Sequence, residues 1–140
     1  CDGVSNRAEL AAITALTHSL VEHFSRQLDA GEPLPTISPW FLAENKWRAA
    51  RYGLEAIVIL DAEGREELVT DHLQEVVEML APVAADLGCS AELAGVRDII
   101  ATGGGAARQR QVARAHDGQL DAVVRHLVAE FHAGVPLPLA

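Results

Sequence analysis

Two short windows hold six of the eleven lysine and arginine residues in this 140-residue chain. Lys46, Arg48 and Arg51 fall in "AENKWRAARYG" (43–53). Arg108, Arg110 and Arg114 fall in "GGGAARQRQVARA" (103–115). The chain otherwise carries 20 Asp and Glu and a net charge of −9, so each window is a local positive well in an acidic surface. Arginine's planar fork suits bidentate contact with carboxylate or phosphate. Arg48 and Arg51 are one helical turn apart, as are Arg110 and Arg114, so each pair shares a face. The second island follows Gly103, Gly104 and Gly105 at an expected helix N-terminus, where free N–H groups and the helix dipole attract anions. The chemistry implied is the clamping of a negatively charged guest. The plainer reading pairs Glu44 with Arg48 at i,i+4 and leaves the other cations solvated. A P-loop is excluded, because no GxxxxGK[ST] occurs.

Other reactive residue types give less. His18 and His23 are five apart, and His126 and His132 six apart; neither spacing makes a metal motif. Glu75 and Glu78 are helix neighbours and read as solvated charge. Cys1 and Cys89 form neither a CxxC pair nor a zinc framework, which fits a reducing cytoplasm, with Cys89 as a small buried apolar residue. No self-sufficient catalytic set is visible. The acid excess argues against nucleic acid and anionic membranes as partners. No apolar run approaches the roughly 20 residues needed to span a bilayer. The opening Cys1-Asp2-Gly3, without Met or signal peptide, leads to the expectation of a piece cut from a longer polypeptide.

The elements that must position the two islands read as mainly α, about six helices with one small two-stranded β element, in a single domain over 1–140. Asn6 to Ala30 is a long helix with Leu10, Ile13, Leu16 or Thr17, Leu20, Phe24 and Leu28 inward. Asn6 and Glu9 resemble a capping box, and Gly31 with Pro33 and Pro35 ends the helix. Ser38-Pro39 starts a second helix that stops at Gly53. Its inward stripe is Trp40, Ala43, Trp47, Ala50 and Leu54, and Trp47 is assigned to the core. Ile57 to Leu60, the turn Asp61 to Gly64, and a second short strand follow. Thr70 or Asp71 caps a third helix with Leu73, Val76, Val77 and Leu80 inward, and Pro82 is expected to kink or restart it. Ser90 caps a fourth helix, 91–101, carrying Leu93, Val96, Ile99 and Ile100. "TGGGAA" breaks the chain before a fifth helix at about 106–116. Asp117 caps a sixth, with Leu120, Val123, Val124, Leu127 and Phe131 inward and Gly134 as its stop. The echo between "VEHFSRQLDAGEPLP" (21–35) and "VRHLVAEFHAGVPLP" (124–138) is explained by two helices ending with the same Gly-then-Pro chemistry.

Four segments carry a resemblance. "FLAENKWRAARYGLEA" (41–56) is similar to the ENRWRAxRyGLDA segment of the bacterial carboxylate–amine ligases, the glutamate–cysteine ligase type 2 family. "IIATGGGAARQRQVARAHDGQLDAVVRHLVAE" (99–130) resembles the family's closing GTGADRQR segment. "LDAGEPLP" (28–35) and the opening "CDGVSN", with Asp2 on the Asp of an ElRvcDvqpT motif, also fit. The chain departs from the pattern with Lys at position 46, Gly at 104 and Ala at 107. The resemblance implies the C-terminal part of a glutamine synthetase-like α+β enzyme that joins a carboxylate to an amine through an acyl phosphate, using ATP and Mg. It implies Lys46, Arg48, Arg51, Arg108 and Arg110 as substrate- or nucleotide-binding groups, and Asp2 as a candidate near the metal. The implied partners are amino-acid substrates, ATP and the family's N-terminal catalytic part, in the cytoplasm. On this reading the chain alone does not turn over. Two rivals stand beside it: a non-catalytic helical interaction or oligomerisation module, which can bury an apolar patch by forming a homodimer, and a regulatory anion-binding domain.

Overall fold

The computed structural model describes residues 4–138. The described chain runs α1 (Arg7–Asp29), α2 (Pro39–Tyr52), a 3-10 turn (Gly53–Glu55), β1 (Ile57–Ile59), β2 (Glu66–Leu68), α3 (Val69–Asp86), α4 (Ser90–Thr102), α5 (Gly105–Ala115) and α6 (Leu120–Ala133). Six helices and one two-stranded element are the architecture expected. β1 and β2 pair antiparallel, with Ile57 opposite Leu68, Val58 opposite Glu67 and Ile59 opposite Glu66.

The main core lies where α1, α3 and α4 meet, around Ala12, Ala15, Val77, Leu80, Ala84, Leu93 and Val96. The α1–α4 contact is close because it is built from small residues. A β-carbon on Gly95 would come within 3.2 Å of the Ala12 β-carbon. This corrects the stripe assigned to α1: its buried positions are Glu9, Ala12, Ala15 and Ser19, while Leu10, Ile13 and Leu28 are exposed. Two helices approach most closely through small side chains, so the bulky periodic residues turn aside. Leu16 and Leu20 still pack at the margin. A second, smaller core joins α5 to α6 through Val112, Ala122 and Val123. Only part of the α6 stripe reaches it; Leu120, Val124 and Phe131 face outward.

α2 contributes no buried residue. Trp40 is 81% exposed and Trp47 57% exposed, so the expected apolar stripe is open and Trp47 is not core. Trp47 packs edge-on against Tyr52 instead. Polar staples attach α2 to the hairpin. Asn45 donates to the Ile59 carbonyl at 2.7 Å and accepts from the Ile59 N–H at 2.8 Å, completing one residue of the β1 edge.

The helix caps are partly as expected. Asn6 Oδ1 accepts from the Glu9 N–H and Ser38 Oγ from the Phe41 N–H. Thr70, Asp71 and Asp117 are not caps: β2 runs directly into α3, whose Val69 N–H bonds the Ala56 carbonyl, and Gln119 precedes α6. Ser90 opens α4 rather than capping it, with Cys89 before it. Pro82 sits inside α3, which continues to Asp86.

Candidate functional site

The second basic island borders an open cleft. α4 ends at Thr102, and Gly103, at φ +81°, carries the chain through a left-handed step that a β-carbon would strain. Gly104 is the N-cap of α5 and supplies no side-chain cap; the Ala107 N–H bonds the Gly104 carbonyl, and among the described residues the N–H groups of Gly105 and Ala106 are left to other acceptors. Facing this loop are Tyr52 and the 3-10 turn that closes α2, with Leu68 and Thr70 from the β2–α3 junction. The cleft between them has a volume of about 670 Å³, within the usual span of small-molecule sites. Arg110 lines it, and among the described residues no carboxylate lies within ion-pair reach of Arg110. Glu55 is the one carboxylate among the described lining residues.

Arg108, two residues earlier, has a different setting. Its side chain is 5% exposed. Nη1 donates to Glu9 at 2.7 Å and Nε donates to Glu130 at 2.9 Å. Further bonds reach the Gly103 carbonyl and Ser5. Ser5 also donates to Glu130, and the Leu137 N–H donates to the same carboxylate. Burial by itself would lower the Arg108 pKa, but the hydrogen bonds to Glu9 and Glu130 outweigh it and raise it. Burial likewise pushes Glu130 up, while the bonds from Arg108, Ser5 and Leu137 hold it below the ordinary glutamate value. Arg108, expected from the resemblance to bind substrate or nucleotide, is turned toward internal carboxylates and does not line the cleft. Its guanidinium ties α1, α5, α6 and the glycine loop together, because two buried carboxylates require a buried cation.

The first island divides in the same way. Arg48 bonds Glu44 at 2.9 Å, the predicted i,i+4 pair, and also Glu66 at 2.6 Å and the Ile57 carbonyl at 3.0 Å. It lines a second cleft with Trp47, Tyr52 and Glu55. Arg48 and Arg110 therefore do not share one opening; their clefts adjoin across Tyr52 and Glu55. Lys46 and Arg51 are exposed, and among the described residues neither has a carboxylate within ion-pair reach. Asp2 lies outside the described residues.

The family model described as "Glutamate-cysteine ligase family 2(GCS2)" matches residues 1–126. The chain belongs to glutamate–cysteine ligase family 2. Among its relatives are a Paenarthrobacter aurescens TC1 protein carrying the provisional name glutamate–cysteine ligase 2-2, 58% identical over 134 residues, and an Arthrobacter FB24 protein provisionally named glutamate–cysteine ligase 2-1, 59% identical over 134 residues. Both alignments take in 96% of this chain and 35% of the relative. A Mycobacterium tuberculosis H37Rv protein, provisionally glutamate–cysteine ligase 2, is 58% identical over 131 residues, covering 94% of this chain and 35% of its own length. The chain thus spans about a third of the length of the curated relatives it matches. No solved structure matches it.

In this family 2 chain, the partners that fix the glycine loop are not legible in the sequence. Glu9 shows there only as half of a cap, and Glu130 stands on an apolar helix with no motif around it. One signal existed: Arg108 stands four residues before Val112, the buried apolar residue of α5, and so shares its inward face. Tyr52 and Glu55 lie within the "ENKWRAARYGLEA" segment that carries the resemblance, but only the fold identifies them as cleft residues.

Proposed function

We propose that this chain is the C-terminal region of an ATP-dependent ligase that joins a carboxylate to an amine, with glutamate and cysteine as the pair its family name indicates. In this reading Arg110 and the N-terminus of α5 receive a phosphate or substrate carboxylate in the cleft beneath the glycine loop. The observation that carries the reading is an arginine without an internal partner among the described residues, lining a cleft of substrate size beside free backbone donors. Lys46 and Arg51 supply further positive potential, and Arg48 orders the hairpin beside the cleft. ATP, when bound, supplies the phosphoryl group that activates the carboxylate. The described lining suits an anion. Its single carboxylate, Glu55, does not assemble a magnesium set, so no step is assigned to that ion here.

The outward apolar residues of α6, Leu120, Val124, Val128 and Phe131, favour the interaction-module reading as the second choice. The test is Arg110→Ala in the intact ligase containing this region. Loss of a charge-assisted contact of about 1.5–3 kcal/mol predicts that kcat/KM for ATP-dependent glutamate–cysteine ligation drops by roughly ten- to a hundredfold, with an unchanged melting temperature. Wild-type kinetics in that variant would remove Arg110 and its cleft from the reaction.

A further inference from the structure

We propose that Glu67, His72 and Glu75 form a binding site for a divalent transition-metal ion of the Zn²⁺ type, separate from the glycine-loop cleft. Glu67 is the middle residue of β2, so its side chain leaves the sheet on the face opposite Glu66, which is engaged with Arg48. His72 and Glu75 stand at i and i+3 on the first turns of α3 and share a face. One ligand atom from each of the three lies within 4.8 Å of the other two.

A second observation sets this group apart from ordinary surface acids. Glu67 Oε2 and His72 Nδ1 are both shielded from solvent and neither makes a hydrogen bond; among the described residues each is the other's one charged neighbour within ion-pair reach, an ion pair only when His72 is protonated. They face one another at 3.5 Å. Bonds of about 2.0–2.2 Å in a tetrahedral zinc site place neighbouring ligand atoms roughly 3.4 Å apart. An ion between them would satisfy both orphaned atoms at once. Among the described residues no lysine or arginine lies within ion-pair reach of Glu67 or Glu75, so their charge is available to a cation. His72 also lines an open cleft with Leu42, Asn45 and Val58, which provides a route in. Imidazole nitrogen with two carboxylates suits Zn²⁺ and its neighbours better than Mg²⁺, which prefers an all-oxygen shell. Glu75 is exposed, leaving a coordination position to water.

The experiment is isothermal titration of ZnCl₂ into the 140-residue protein and its variants at neutral pH. The expected result is one saturable site that weakens by about tenfold or more in His72→Asn, Glu67→Gln and Glu75→Gln. Glu78→Gln, exposed on the same helix, should bind as the wild type does. Circular dichroism on each variant separates lost binding from lost folding, and Glu75→Gln changes only an exposed side chain. X-ray absorption of the zinc complex should show one imidazole nitrogen in a shell of oxygen. The proposal is overturned if no saturable binding occurs, if the three variants bind as tightly as the wild type, or if the absorption spectrum shows sulfur ligation.

Discussion

Arg108 and Arg110 are separated by one residue on α5 and differ in everything that matters for their chemistry. Arg108 is buried between Glu9 and Glu130, and Arg110 is exposed at the cleft. The buried trio has a pH consequence. Glu130 titrates below the ordinary glutamate value when folded. Its ionised form therefore stabilises the fold above the unfolded pKa of about 4.3, and that contribution is lost as pH falls through the lower folded value. Urea midpoints measured from pH 7 down to pH 3 should drop at the acid end, and Glu130→Gln should be less stable at pH 7 with a flatter acid limb. An equally steep limb in the variant would show that other groups set the acid response. Nothing in the residue types distinguishes the two arginines. The i,i+4 relation of Arg108 to Val112 was legible, but the partner carboxylates lie 99 and 22 residues away, and only the fold joins them.

At the scale of elements, the positions of the helices were more legible than their faces. α2 was bounded correctly because Ser38-Pro39 and Gly53 are local signals acting through backbone geometry. The buried face of α1 was not, because it is chosen by a neighbour: α4 presents Gly95, and Ala12 rather than Leu10 or Ile13 fits against it. α2 shows the same limit, since it is held by polar staples and its tryptophans stay wet. Asn45→Ala should therefore destabilise the protein by about 1–3 kcal/mol through the unpaired Ile59 backbone. Trp40→Ala, despite removing the larger side chain, should cost less than about 0.5 kcal/mol. Chemical denaturation of the two variants checks the order; the reverse order would mean that α2 is seated by its apolar face.

For the whole molecule, the arrangement is an α1–α3–α4 core carrying two smaller units, α2 with the hairpin and α5 with α6. The candidate cleft lies where these units approach. Its described lining provides cationic and backbone donors and a single carboxylate. The 140-residue protein by itself should therefore form no γ-glutamylcysteine from glutamate, cysteine and ATP, as followed by mass spectrometry; steady product formation would show that the region is catalytically sufficient. The resemblance in "ENKWRAARYG" and "GGGAARQR" led to the correct family, but the division of those motifs between scaffold and cleft required the packing. Family motifs record which residues recur, and burial decides whether a cation serves the fold or a ligand.

That division is tested most directly by urea unfolding of Arg108→Met beside Arg110→Met. Removing the buried cation strands Glu9 and Glu130, so Arg108→Met should lose about 3–5 kcal/mol. Arg110→Met should stay within about 0.5 kcal/mol of the wild type. Equal stability in the two variants would contradict the assignment of Arg108 to the scaffold and Arg110 to the cleft.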